Sequence, residues 1–304
     1  MSSTLPRPAA SRVPAVPMDS AQRGEGPFVW RFNLYHRVTH AAMIISFFTL
    51  VTTGLPLRFS NAFWAPTLMQ LLGGVHMAGL LHRAAALVTF GYFGAHVGYL
   101  ALALSRATPS QRRRMLWGPD SMVPHPDDIL HVVQQFRWYL GLGPRPKFGR
   151  FSYMEKFDYF AVFWGVAMIG VSGLLLWFAE FFGRFLPGWV FNLATIIHAD
   201  EAVLAAAFIF TIHFFNVHLR PEKFPLDAVM FTGRATTEYM EEEHPGVAGK
   251  IAALSGRAVQ STPLIDAPAP PPSRRQSLVG AILGFLALAV GVVLIGMILW
   301  VALS

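Results

Sequence analysis

The chain holds eleven histidines and no cysteine, and the spacing of four of those histidines is its first chemical signal. His82 and His96 lie fourteen residues apart, and His198 and His213 fifteen, each pair within an apolar stretch. On a helix rising 1.5 Å per residue, those steps separate each pair by roughly 21–23 Å. Four helical turns take ~14.4 residues, so each pair also returns to about the same face. Two helices marked in this way set up two levels. Each level suits a haem whose iron takes one neutral imidazole from each side, His82 with His198 and His96 with His213. A lone histidine in a membrane helix is more often a hydrogen-bonded packing residue, and a proton relay is a competing use. Neither explains two matched spacings. The missing cysteine excludes disulfides, thiolate zinc sites, iron–sulfur clusters and covalently attached c-type haem in this chain.

These side chains need elements to hold them. Of 304 residues, 54% are hydrophobic and 13% charged, against about 25% charged in ordinary globular domains. Apolar runs at residues 38–57, 79–104, 157–178, 190–219 and 278–303 each approach or exceed the ~20 residues that span a bilayer as a helix. They are continuous, which argues against a β-barrel with its alternating strands. The expected fold is an all-α membrane protein: a four-helix transmembrane bundle over residues 31–225 carrying the histidines, plus a fifth C-terminal helix at 278–304. That fifth helix has neither His nor charge and reads as a packing or anchoring element. Residues 1–30 read as a flexible cytoplasmic tail without signal-peptide features, and 226–277 as a linker. The loop at 105–155 contains an amphipathic segment, 126–141. There Ile129, Val132, Val133, Phe136 and Leu140 fall at helical spacing behind Asp127 and Asp128, as expected of a helix lying on the membrane surface.

The net charge of +7 invites a nucleic-acid reading, but its distribution removes that support. Arginines and lysines crowd the tail before the first run, the 105–155 loop and the 220–275 segment. The opposite side keeps little more than Arg58, Arg83 and Arg184. The positive-inside rule then places the N-terminus in the cytoplasm and the C-terminus in the periplasm of a bacterial inner membrane.

With the helices laid out, YHRVTHAAMIISFFTLVTTGLPL (residues 35–57) resembles the first helix of the cytochrome b subunits of formate dehydrogenases and nickel–iron hydrogenases. GLLHRAAALVTFGYFGAH (79–96) is similar to their second helix, 147–178 to their third, and IIHADEAVLAAAFIFTIHFFNVHLRPEKF (196–224) to their fourth. The likeness covers about residues 30–225. It implies a dihaem, quinone-reactive subunit with two haem b groups, the inner one beside a quinone site. Carried residue by residue, it supports His82 with His198 at the outer iron and gives His40 with His213 at the inner one. The spacing of the histidines, which is similar to that in bc-type cytochromes b, gives His96 with His213 instead. This chain contains both His40 and His96, a departure from the formate-dehydrogenase pattern.

The sequence favours His96 at the inner iron. His40 is then an alternative ligand, a quinone contact, or a partner of His218 at a third haem. His218 lies about 140° around the helix from His213, so it faces elsewhere. Arg37 and Arg83 are candidate contacts for haem propionates, or interfacial anchors. Asp200 and Glu201 are carboxylates in an expensive place, candidates to bond a ligand histidine, meet a partner or take protons. His36 and His76 read as border residues, and His125, His131 and His244 as ordinary polar ones. The resulting expectation is an electron-transfer subunit of a quinone-linked oxidoreductase. It would pass electrons between membrane quinone, near His40, Arg37 and Asp128, and a periplasmic multihaem or iron–sulfur subunit. A haem-free transporter lined by histidines and a structural membrane anchor of a larger complex are the alternatives.

Overall fold

A computed structural model describes residues 27–247 and 267–304; most of the 1–30 tail and the middle of the 226–277 linker lie outside the described residues. Five helices are long and apolar enough to cross a membrane: Leu34–Arg58, Gly74–Arg106, Tyr153–Trp177, Gly188–Leu219 and Arg274–Leu303. In this order they are the first to fifth membrane helices, and the protein is an all-α, multi-pass membrane protein.

Three of the five helices start where a side chain supplies a cap. The Asn33 side chain accepts from the His36 amide at 3.0 Å, satisfying one of the donors that a helix start leaves unpaired. Reciprocal capping boxes open the third helix (Ser152 with Glu155) and the fifth (Ser273 with Gln276). Between the first and second helices the chain reverses through the short helix Ala65–Leu71 and two left-handed glycines, Gly73 and Gly74 (φ 82° and 85°), a region where side chains with a Cβ are strained.

The first four helices close into a ring: first on second, second on third, third on fourth, and fourth back on first. The fifth lies outside, against the first and fourth. Val51 and Leu55, Ala206, Phe210 and Phe214, and Leu288, Leu294, Ile295 and Ile298 form the core of that seam. Gly291 lets the fifth helix sit directly on the phenylalanines, because a Cβ there would lie 2.4 Å from Phe214 and 3.0 Å from Phe210. Close approach over small residues is how membrane helices gain contact when lipid offers no hydrophobic driving force. Large apolar side chains such as Leu87, Phe160, Leu204 and Ile282 remain exposed on the outer faces of the bundle, where lipid meets them.

Beyond the helices the structure adds a small antiparallel sheet that the sequence does not announce. Strand β1 (Phe28–Trp30) pairs on one side with β2 (Arg234–Thr236) and on the other with β3 (Pro268–Ala269). The end of the expected tail and parts of the expected linker are thereby built into the fold. The amphipathic segment forms a helix, Pro126–Tyr139. Its Ile129, Val133 and Phe136 face outward while Asp128 and Gln135 are buried. Lys156 of the third helix holds Asp128 through both carboxylate oxygens at 2.9 Å.

Candidate functional site: two levels of histidine

The level nearer the start of the second helix brings His82 and His198 together, edge to face. Their ring centres are 6.0 Å apart and the planes inclined by 63°. Metal–imidazole bonds of about 2 Å place rings on opposite sides of one metal at roughly this separation. Each ring is oriented by its Nδ1. Thr53 Oγ1 of the first helix lies 2.8 Å from Nδ1 of His82, and the Ile169 carbonyl 2.9 Å from Nδ1 of His198. A hydrogen bond on one ring nitrogen fixes the tautomer and presents the other nitrogen as a ligand.

Two local features make this possible. Ile169 lies in a π-helical turn, Val166–Gly170, which interrupts the regular ladder of the third helix; such turns loosen backbone carbonyls for other partners. Gly173 leaves room for the ring, since a Cβ there would stand 2.9 Å from Cε1 of His198. Gly54 faces His82 less tightly, since a Cβ there would stand 3.6 Å from Cε1 of His82, an ordinary contact.

At the other level, Nδ1 of His213 lies 2.8 Å from Oδ2 of Asp158, both side chains about one-fifth exposed. His213 ends a π-helical turn, Ile209–His213, and a second such turn follows at Phe215–Leu219. His40 sits within electrostatic reach of both His213 and His218. His218 is buried, packs against Phe214 and accepts from the Asp227 amide at 3.3 Å. A carboxylate behind a ligand histidine is the usual second partner at a metal site, and Asp158 stands in that relation to His213.

His96 is placed differently. Tyr35 OH lies 3.0 Å from its Nδ1 and Tyr159 OH 2.8 Å from its Nε2, so both ring nitrogens are engaged. The Tyr35 ring stacks on it at 6.2 Å, and Phe163 meets it edge-on. Of the histidines in the two inner pairings read from the sequence, His96 has both ring nitrogens engaged by tyrosines, while His40 lies within electrostatic reach of His213.

The other expected site residues have partners of their own. Arg37 donates through Nε to the Phe231 carbonyl at 2.9 Å, and the Arg83 guanidinium lies 5.9 Å from the Trp177 ring centre. Asp200 pairs with Arg58 at 2.8 Å at the exposed end of the bundle. His244, read from sequence as an ordinary polar residue, is buried: its Nδ1 lies 2.9 Å from the Gly149 carbonyl and its Nε2 3.3 Å from Arg31. His125 caps the amphipathic helix through the Asp127 amide.

Sequence reasoning passed over Thr53, Asp158, Tyr35 and Tyr159. Thr53, Asp158 and Tyr159 are polar groups inside apolar runs, the signal that would have found them, whereas Tyr35 lies just before the first run. Gly91, Gly94, Gly98 and Gly165 have open space where a Cβ would stand.

Among the described residues, no cluster of three or more His, Asp or Glu is arranged for a bare metal ion. No protein-family model matches the chain, and no curated protein matches it at a significant level.

Proposed function

We propose that this protein is a membrane cytochrome b, the electron-transfer subunit of a quinone-linked oxidoreductase, with two haem b groups held at the two histidine levels. The observation that carries the reading is the His82–His198 pair, with ring centres 6.0 Å apart and each Nδ1 tied back. His82 and His198 would hold one haem, and His40 and His213 the other. A bound haem supplies an iron that takes up and releases one electron at a time.

The chain's own part is to fix the ligand rings, exclude water from them and manage protons. Thr53, Ile169 and Asp158 hold the ring orientations. Tyr35, His96 and Tyr159 form a chain of exchangeable hydrogen bonds at the His213 end, where quinone chemistry needs a route for protons. With Arg37 bound to Phe231 and Asp128 to Lys156, this chain is the better placed group for that task. Positive-inside loops orient the His213 end toward the cytoplasm and the His82 end toward a periplasmic redox subunit.

The reading is tested by adding a quinol to the oxidised, purified protein and following the b-type absorption band. We expect the band of reduced haem to appear, and to appear several-fold more slowly in Tyr159→Phe. Haem that accepts electrons from dithionite but never from any quinol would refute the quinone link.

A further inference from the structure

Just past the second membrane helix the chain builds a basic cleft that the electron-transfer reading does not use. Its walls are Ser110, Arg113, Arg114, Trp117, Gly118 and His125, around a volume of about 410 Å³. Three observations bear on what it takes.

The first is how the arginines are presented. The helix Pro109–Trp117 opens with a Thr108–Gln111 capping box and ends at Gly118. Arg112 is committed to the second membrane helix, donating to the Leu104, Ala107 and Ser105 carbonyls at 2.8, 3.0 and 3.4 Å. That clamp fixes the short helix and turns the Ser110, Arg113, Arg114 and Trp117 face into the cleft, the three-and-four spacing of one helix face. The Arg113 and Arg114 guanidinium groups make no hydrogen bond or ion pair among the described residues.

The second is charge. The lining itself holds two guanidinium groups and no carboxylate, and the neighbouring Asp127 lies 3.1 Å from Nδ1 of His125. Guanidinium matches the oxygens of a phosphate better than any other side chain does.

The third is depth. The short helix starts three residues after Arg106, the last residue of a membrane-spanning helix. Met115, Leu116 and Trp117 stay exposed beside the arginines. Trp is favoured at the height of lipid headgroups, where one side of the ring is apolar and the other wet. A soluble phosphate ligand would gain nothing from those three apolar side chains, whereas an acyl chain would.

We propose that this cleft binds the phosphate headgroup of an anionic phospholipid in the adjoining leaflet, with Arg113 and Arg114 on the phosphate and Trp117 against the glycerol and upper acyl chain. The site is independent of the histidine levels. The test uses the full-length protein in detergent, titrated with phosphatidylglycerol or phosphatidylcholine and read by native mass spectrometry. The wild type is expected to retain phosphatidylglycerol about tenfold or more over phosphatidylcholine. R113Q/R114Q should lose that preference, and R137Q, on the neighbouring amphipathic helix, should keep it. Ser110→Glu, which keeps both arginines but sets a carboxylate three and four residues before them to compete for their guanidinium groups, should also abolish it, so a folding defect in the double variant does not decide the matter. The proposal is overturned if R113Q/R114Q and Ser110→Glu both retain the preference. It is equally overturned if R137Q removes it to the same extent, or if inorganic phosphate displaces the lipid, which would make the site one for free anions.

Discussion

Whether an imidazole can serve a metal depends on what holds its second nitrogen. His82, His198 and His213 each have Nδ1 engaged by a neighbour, whereas His96 has both nitrogens bonded to tyrosines. Gly173→Ala should push the His198 ring aside, because its Cβ would come within 2.9 Å, and lower haem content at that level. His96→Phe should leave haem content unchanged. Haem per chain in the two purified variants checks both, and loss of haem in His96→Phe would restore His96 as a ligand. The His82–His198 pairing was legible in sequence because a spacing close to four whole turns keeps a helix face constant. The partners of His96 were not. Tyr35 and Tyr159 come from other helices, whose rotation about their own axes leaves no trace in the spacing of the second.

Elements were the most readable scale. Each apolar run in the sequence became a membrane helix, extended at its ends by caps such as Asn33 and Ser273 that lie outside the apolar stretch. The sheet was not readable. Strands of two or three residues carry no periodicity, and Val29 meets Ala235 and Pro268 from more than two hundred residues away. An odd number of crossings would put the two termini on opposite sides of the membrane. Reporters fused after residue 304 and before residue 1 should therefore register opposite compartments. The same compartment for both would remove one of the five spans.

At the scale of the whole molecule, a buried polar layer joins the ends of the helices to the segments between them. Arg31, 1% exposed, donates to the Arg150 carbonyl at 2.6 Å and pairs with Glu155 at 3.0 Å. Glu243 pairs with Arg145 at 2.8 Å, with Arg220, and with Lys223 at 3.6 Å. Burial alone would raise the Glu243 carboxyl, but the Lys223, Arg220 and Arg145 charges outweigh it and hold it at about 2, below the ordinary 4.5. A carboxylate depressed in the folded state contributes stability that is fully present above the unfolded value and lost as pH falls through the folded one. The wild type should therefore lose stability between about pH 4.5 and 2. Glu243→Gln should be less stable by roughly 3 kcal/mol at neutral pH and flatter across that window, as thermal unfolding in detergent would record. The opposing charges were visible in the sequence only as basic loops and an acidic stretch. Their pairing depends on the sheet that folds residues 234–247 back under the bundle.

The central claim is that paired histidines at two levels hold two haems, and it is tested most directly by a pyridine haemochrome assay on the purified, fully assembled wild type. The account predicts two b-type haems per chain, falling to one in His82→Ala. A properly assembled protein with no b-type haem would contradict it.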